Sequence, residues 1–103
     1  MGRIEKLLEF IKVNGKDSFL QHALALEYIK TGDDARAREL FNEILLREPT
    51  YLGSYYHLGK LLERVGDVAK AIRVYQRGIE EAKRAGDNHS LNELRAALED
   101  IEE

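Results

Sequence analysis

Two consecutive stretches decide the fold of this chain: SFLQHALALEYIKTGDDARARELFNEILLREPTY at residues 18–51 and LGSYYHLGKLLERVGDVAKAIRVYQRGIEEAKRA at residues 52–85. When the chain is shifted against itself by 34 residues, the identical positions are Leu24 with Leu58, Gly32-Asp33 with Gly66-Asp67, Ala35 with Ala69, and Ala37 with Ala71. These residues lie where two helices must touch or turn. Self-similarity at a period of this length indicates an architecture built from repeated supersecondary units.

The apolar residues around these stretches also recur with the period of a helix. The pattern predicts an all-α single domain over residues 1–103, with about six helices. A leading helix is expected at 3–14, repeat 1 at 18–51, repeat 2 at 52–85 and a capping helix at 88–101. Short connections predict antiparallel neighbours. The predicted helix caps are Ser18 paired with Gln21, Thr50, and either Asp87 or Ser90.

The composition excludes several classes of protein. The chain contains no cysteine, so disulfide scaffolds, thiolate metal sites and cysteine nucleophiles are ruled out. A formal net charge of −3 argues against a nucleic-acid partner. We find neither a secretory signal nor an apolar run long enough for a membrane span. The expectation is a cytoplasmic protein with no membrane association.

The two stretches resemble tetratricopeptide repeats. The family pattern contains an aromatic residue, Leu-Gly, Tyr, Ala, Phe and Pro at fixed offsets. In the first stretch these positions hold Gln21, Leu24-Ala25, Tyr28, Ala37, Phe41 and Pro49, and in the second Tyr55, Leu58-Gly59, Leu62, Ala71, Tyr75 and Lys83. The resemblance implies a right-handed stack of antiparallel helical hairpins, an α-solenoid. Lys83 stands where the family has proline, so the fifth helix is expected to run past its usual end.

Small and large residues alternate at the positions where helices must pack. Ala25 and Gly59 would let the first helix of each hairpin approach the second closely. Phe41 and Tyr75 would fill the space between hairpins. This pattern specifies packing and indicates no chemistry.

No constellation of residues supports catalysis or a cofactor. The three histidines, His22, His57 and His89, lie 35 and 32 residues apart, which predicts separation along a stack rather than a metal site. Ser54 and His57 could touch on a helix, but nothing supplies an orienting group or an oxyanion hole. We therefore expect a protein that is not an enzyme and holds neither a metal nor a cofactor.

The resemblance implies a concave face, lined by the first helix of each pair, that binds a peptide or a partner protein. The implied positions are Phe19, His22, Leu26, Ile29 and Lys30 in repeat 1, and Gly53, Tyr56, Lys60, Glu63 and Arg64 in repeat 2. For Leu26 and Ile29 the alternative is burial beneath a flanking helix. Members that grip chaperone tails use Lys and Asn where this chain has His22, Leu26 and His57, so that subclass is not expected.

The sequence therefore predicts a non-catalytic module for protein–protein interaction. The partner is a protein or peptide of unknown identity. Because Lys30, Lys60 and Arg64 face a single acid, Glu63, the expected ligand is an acidic peptide with an apolar anchor. These cations would have no such role if they only pair with Glu27, Glu63 and other neighbours. The alternative is self-assembly into a homodimer through terminal helices. The apolar residues Leu91, Leu94, Leu98 and Ile101 keep the spacing of a helix-pairing seam.

Overall fold

The structure, a computed structural model, describes residues 2–102. Six α-helices make up this part of the chain: α1 (Arg3–Asn14), α2 (Ser18–Lys30), α3 (Asp34–Arg47), α4 (Gly53–Arg64), α5 (Val68–Ala85) and α6 (Asn88–Glu102). No strand occurs between residues 2 and 102. The predicted all-α class is confirmed.

The helices form two compact units, one reaching to Glu48 and one beginning at Pro49. In the first unit, α2 packs against α3 and also against α1. The core of this unit contains Leu7, Leu24, Ala25, Ala37, Phe41 and Ile44. Ser18 at the start of α2 donates a hydrogen bond to Glu48 just beyond α3, at 2.8 Å, so the two helices run antiparallel.

In the second unit, α5 lies between α4 and α6, and α4 also contacts α6. The core contains Tyr55, Leu58, Leu61, Leu62, Ala71, Tyr75, Ile79, Ala82, Leu94 and Ala97. A Cβ atom added to Gly78 would come within 2.7 Å of the Tyr55 Cβ and 3.0 Å of a Leu94 methyl carbon. Gly78 therefore lets α4 and α6 approach α5 closely.

The same turn joins the two helices of each repeat. Gly32 and Gly66 have φ values of 83° and 88°, a left-handed conformation that favours glycine. The amides of Asp33 and Asp67 bond at 2.8 Å to the carbonyls of Tyr28 and Leu62, closing the preceding helix. This equivalence explains why the Gly-Asp pair occurs in both repeats.

Aspartates cap four of the helices. The carboxylates of Asp17, Asp33, Asp67 and Asp87 accept hydrogen bonds from backbone amides three residues on, those of Leu20, Arg36, Lys70 and Ser90. The predicted cap Ser18 is wrong, because Asp17 takes that position and the Ser18 hydroxyl bonds to Glu48 instead. The predicted cap Thr50 is also wrong, because α4 begins at Gly53 without a side-chain cap.

The length of α5 confirms the expectation drawn from Lys83. α5 contains 18 residues, whereas α3, the second helix of the first repeat, contains 14. No helix between residues 2 and 102 combines the length and apolarity that crossing a bilayer requires.

Candidate functional site: the exposed faces of α2 and α4

A cluster of polar and aromatic side chains lies on α4. The Lys60 ammonium is 3.7 Å from Glu63 Oε2 and 5.7 Å from the centroid of the Tyr56 ring. The hydroxyl of Tyr75, which reaches this face from α5, donates a hydrogen bond to Glu63. The Glu63 carboxylate thus accepts a hydrogen bond from a buried tyrosine and also faces the Lys60 ammonium group.

Burial is the main reason that the pKa of Tyr75 is raised far above its usual value, and the negative charge of Glu63 raises it further. Tyr75 therefore stays protonated and acts as a donor to Glu63. This fixes the Glu63 carboxylate on the side of α4 that carries Lys60.

His57 lies next to this cluster. Its ring meets the Tyr56 ring edge-on, with centroids 5.5 Å apart. Burial lowers the pKa of His57, and the nearby carboxylate of Glu93 on α6 opposes that shift. The α4 face is thus bordered by α6 within the second unit.

On α2, the predicted residues are spread between core and solvent. Phe19 is 69% exposed, whereas Leu26 and Ile29 are half-buried, so neither is withdrawn fully into the core. His22 is half-buried and meets the Phe41 ring edge-on at 5.6 Å. Lys30 is exposed and lies 3.2 Å from Glu27, which also binds Arg3 at 3.1 Å.

Comparison with known proteins identifies the repeats. The family model for the tetratricopeptide repeat matches residues 20–51 and 52–84, which together form more than half of the chain. The chain belongs to the tetratricopeptide repeat family.

Proteins of three bacteria resemble this tetratricopeptide repeat protein in sequence or in structure. A TPR repeat-containing protein of Pseudomonas aeruginosa is 26% identical over 99 residues, covering 96% of this chain and 94% of that protein. The crystal structure of a tetratricopeptide repeat domain protein from Salinibacter ruber is 42% identical, with a TM-score of 0.80, covering 84% of this chain and 97% of that one. The solution structure of a protein from Bordetella parapertussis is 25% identical, with a TM-score of 0.84, covering 98% of this chain and 88% of that one.

The structure places carboxylates beside two of the cations that the tetratricopeptide resemblance singled out. From the sequence, Lys30, Lys60 and Arg64 either form a basic surface or pair with Glu27 and Glu63. The structure pairs Lys30 with Glu27 and Lys60 with Glu63. Arg64 is exposed at the end of α4, and Gly53 is its exposed first residue.

Two residues that shape these faces have roles that were not predicted from the sequence. Tyr75 was expected only to fill space, yet its hydroxyl orients Glu63. The Arg47 guanidinium donates hydrogen bonds to the Ser18 hydroxyl, at 2.8 Å, and to the side-chain oxygen of Gln21. These two bonds hold the end of α3 to the start of α2. The signal for this contact was Gln21 itself, a polar residue where the family pattern has an aromatic one.

Two observations within the described range bear on metal binding and catalysis. Between residues 2 and 102, no group of three or more His, Cys, Asp or Glu side chains is arranged to hold a metal ion. Ser54 is fully buried, which denies its hydroxyl access to a substrate.

Proposed function

We propose that this protein is a non-catalytic module that binds a peptide or a partner protein through the exposed faces of α2 and α4. The observation that carries the proposal is the match of both repeats to a family that is generally a protein–protein interaction module. The residues proposed to contact the partner are Phe19, His22, Leu26, Ile29 and Lys30 on α2, and Tyr56, Lys60, Glu63 and Arg64 on α4.

The α4 face supplies an aromatic ring beside a cation. Tyr56 is half-buried, so its ring is held in place while part of its surface stays open to a ligand. A tyrosine in this setting is a frequent anchor of binding energy. We infer that it packs against an apolar side chain of the peptide.

Lys60 gives the α4 face its preference for an acidic ligand. Its pair with Glu63 is partly exposed, and exposed pairs contribute about 0–1 kcal/mol. A peptide carboxylate can therefore replace or share Glu63 at little cost. The cation mainly accelerates association and makes binding sensitive to salt.

The α2 face adds apolar surface. Phe19 has an exposed ring. The half-buried Leu26 and Ile29 add apolar surface along the same helix, and their side chains are held by the surrounding packing. Lys30 repeats the chemistry of Lys60, because it too is exposed and paired with a carboxylate. An extended peptide that carries both apolar and acidic residues fits each of these faces.

The test uses fluorescence anisotropy with a peptide selected from a pool of acidic sequences. We expect Tyr56→Ala to weaken binding by roughly tenfold or more, and Lys60→Ala to reduce the dependence of binding on salt. Lys83→Ala is the matched control, since Lys83 is exposed on α5. Equal affinity for all three variants would contradict the proposed site.

Self-assembly through terminal helices is the second candidate, and one observation favours it. α1 leaves Phe10 and Val13 exposed, at 55% and 84%. On α6, by contrast, Leu91, Leu98 and Ile101 are half-buried. If α1 is the seam, Val13→Asp yields a folded monomer in sedimentation experiments. Unchanged association of this variant would exclude α1 as the seam.

A further inference from the structure

The outer faces of α3 and α5 carry opposite charges at equivalent positions. In α5, Ala71, Tyr75 and Ala82 are buried, and the helical period of 100° per residue places Arg73 and Arg77 on the opposite face. In α3, Ala37, Phe41 and Ile44 are buried, and Glu39 and Glu43 lie opposite them. The repeat period of 34 residues superimposes the two glutamates on the two arginines.

These charged side chains are exposed, and most of them form no ion pair within the described residues. Glu39, Glu43, Arg73 and Arg77 are all exposed. Within residues 2–102, Glu39, Glu43 and Arg73 form no ion pair or side-chain hydrogen bond, whereas Arg36 and Arg84 pair with Asp33 and Glu81. Since the repeat fold accepts either sign at these positions, packing does not explain the difference between the two helices.

We propose that the outer face of α3 docks on the outer face of α5 of a second copy of this chain. The chain itself carries both halves of a complementary pair, with charges one helical turn apart, about 6 Å, on each helix. This matched spacing favours a second copy over an unrelated acidic partner. The net charge of −3 disfavours a nucleic acid or an anionic membrane.

Charge also selects the direction of docking. In an antiparallel arrangement that places Glu39 opposite Arg77 of the second copy, Glu43 falls opposite its Arg73 and Arg36 opposite its Glu80. A parallel arrangement would place Arg36 against Lys70 of the second copy, which is a repulsive pair. The antiparallel register therefore has three favourable pairs and avoids that repulsion.

Leu46 adds an apolar component to the antiparallel register. It is 88% exposed on the same face of α3, one turn beyond Glu43. In this register it meets the aliphatic stem of Lys70 of the second copy. Because exposed ion pairs are individually weak and screened by salt, the association is weak and is lost at high ionic strength.

Sedimentation velocity of the full chain over a concentration series tests the proposal. We expect the association constant to fall by roughly tenfold or more between about 0.05 M and about 0.5 M salt. We expect Arg73→Glu/Arg77→Glu and Glu39→Arg/Glu43→Arg each to be monomeric where the natural chain associates. An equimolar mixture of the two variants associates again, because each restores the complement of the other.

Single exchanges test the register. Arg73→Glu mixed with Glu43→Arg restores association in the antiparallel register, whereas recovery with Glu39→Arg instead contradicts it. Lys83→Glu makes the same charge change elsewhere on α5 and should leave association unchanged. Circular dichroism verifies that every variant is folded.

Three results would overturn the proposal. The first is a natural chain that stays monomeric at low salt throughout the concentration series. The second is association that survives in both double variants, which would point to the terminal helices. The third is a mixture of the double variants that remains monomeric.

Discussion

Gly59 leaves room for the ring of Tyr75, because a Cβ atom at this position would overlap three of its ring carbons. Tyr75 is fully buried, so its ring is enclosed by other residues. The first repeat has a different pair of residues at this contact, with Ala25 at the position of Gly59 and Phe41 at that of Tyr75. The tyrosine at position 75 therefore requires a glycine at position 59.

Gly59→Ala is expected to lower the free energy of unfolding by about 1–3 kcal/mol, since it overpacks a rigid contact. Urea denaturation followed by circular dichroism measures the change. The matched control is Ala25→Gly, which opens space and costs about 1 kcal/mol through helix propensity. An unchanged midpoint for Gly59→Ala would show that the contact with Tyr75 is not close.

Tyr75 and Glu63 form a polar pair where the first repeat has the apolar residues Phe41 and Ile29. Tyr75→Phe removes the donor to Glu63 and should cost about 0.5–1.5 kcal/mol. Adding Glu63→Ile reproduces the apolar combination, so the double variant should lose less stability than the sum of the single changes. Simple additivity in a double-mutant cycle would contradict the coupling.

His57 should make stability depend on pH. Its pKa is lowered from the ordinary value of 6.5, chiefly by burial, so the unfolded chain binds the proton more readily than the folded one. Stability is therefore expected to fall as the pH decreases below 6.5 and to level off below the folded-state pKa. Urea unfolding between pH 7.5 and pH 5.5 should show this slope. Protonation of carboxylates dominates the pH dependence only at lower pH, at about pH 4.

His57→Gln should abolish the slope in this pH range, whereas the same change at the exposed His89 should leave it in place. A slope that persists in His57→Gln would assign it to another group. The carboxylate of Glu93 opposes the shift, so Glu93→Gln should steepen the dependence.

Among the helices, α6 shows which apolar residues hold an element to its neighbour. Leu94 and Ala97 are buried at 1% and 3%, whereas Leu98 is only half-buried. Leu94 also lies against the gap that Gly78 leaves in α5. The four leucine and isoleucine positions that the sequence pattern grouped as one seam therefore differ in their roles.

Leu94→Asp is expected to destabilise the second unit by about 3 kcal/mol or more, because it buries an unpaired charge. Leu98→Asp should cost markedly less, since its side chain can reach solvent. Thermal unfolding of both variants gives the comparison. A larger loss for Leu98→Asp would mean that α6 is rotated about its axis.

The helices and turns could be predicted because each leaves a periodic or positional signal. Gly32-Asp33 and Gly66-Asp67 mark the same turn in both repeats, and the apolar period locates the six helices. The caps were harder, because Asp17 and Ser18 are both good cap residues and only the long-range contact of Ser18 with Glu48 separates them. The local sequence around Ser18 does not indicate that its hydroxyl bonds to Glu48, 30 residues away.

The charges of the candidate binding faces were only partly predictable from the sequence. Counting cations suggested a basic surface at Lys30, Lys60 and Arg64, yet Glu27 and Glu63 pair with the two lysines. Both pairs join residues three apart on one helix, a spacing that is visible in the sequence, but whether each pair forms depends on the side-chain rotamers. The α2 and α4 faces are therefore closer to neutral than the sequence pattern indicates.

An NMR titration of the full chain, with acidic and basic peptides of equal length, tests the proposed function most directly. We predict that acidic peptides shift the amide signals of α2 and α4, most strongly around Tyr56 and Lys60, and that added salt weakens the effect. Shifts confined to the outer faces of α3 and α5, or a preference for basic peptides, would contradict peptide binding through α2 and α4.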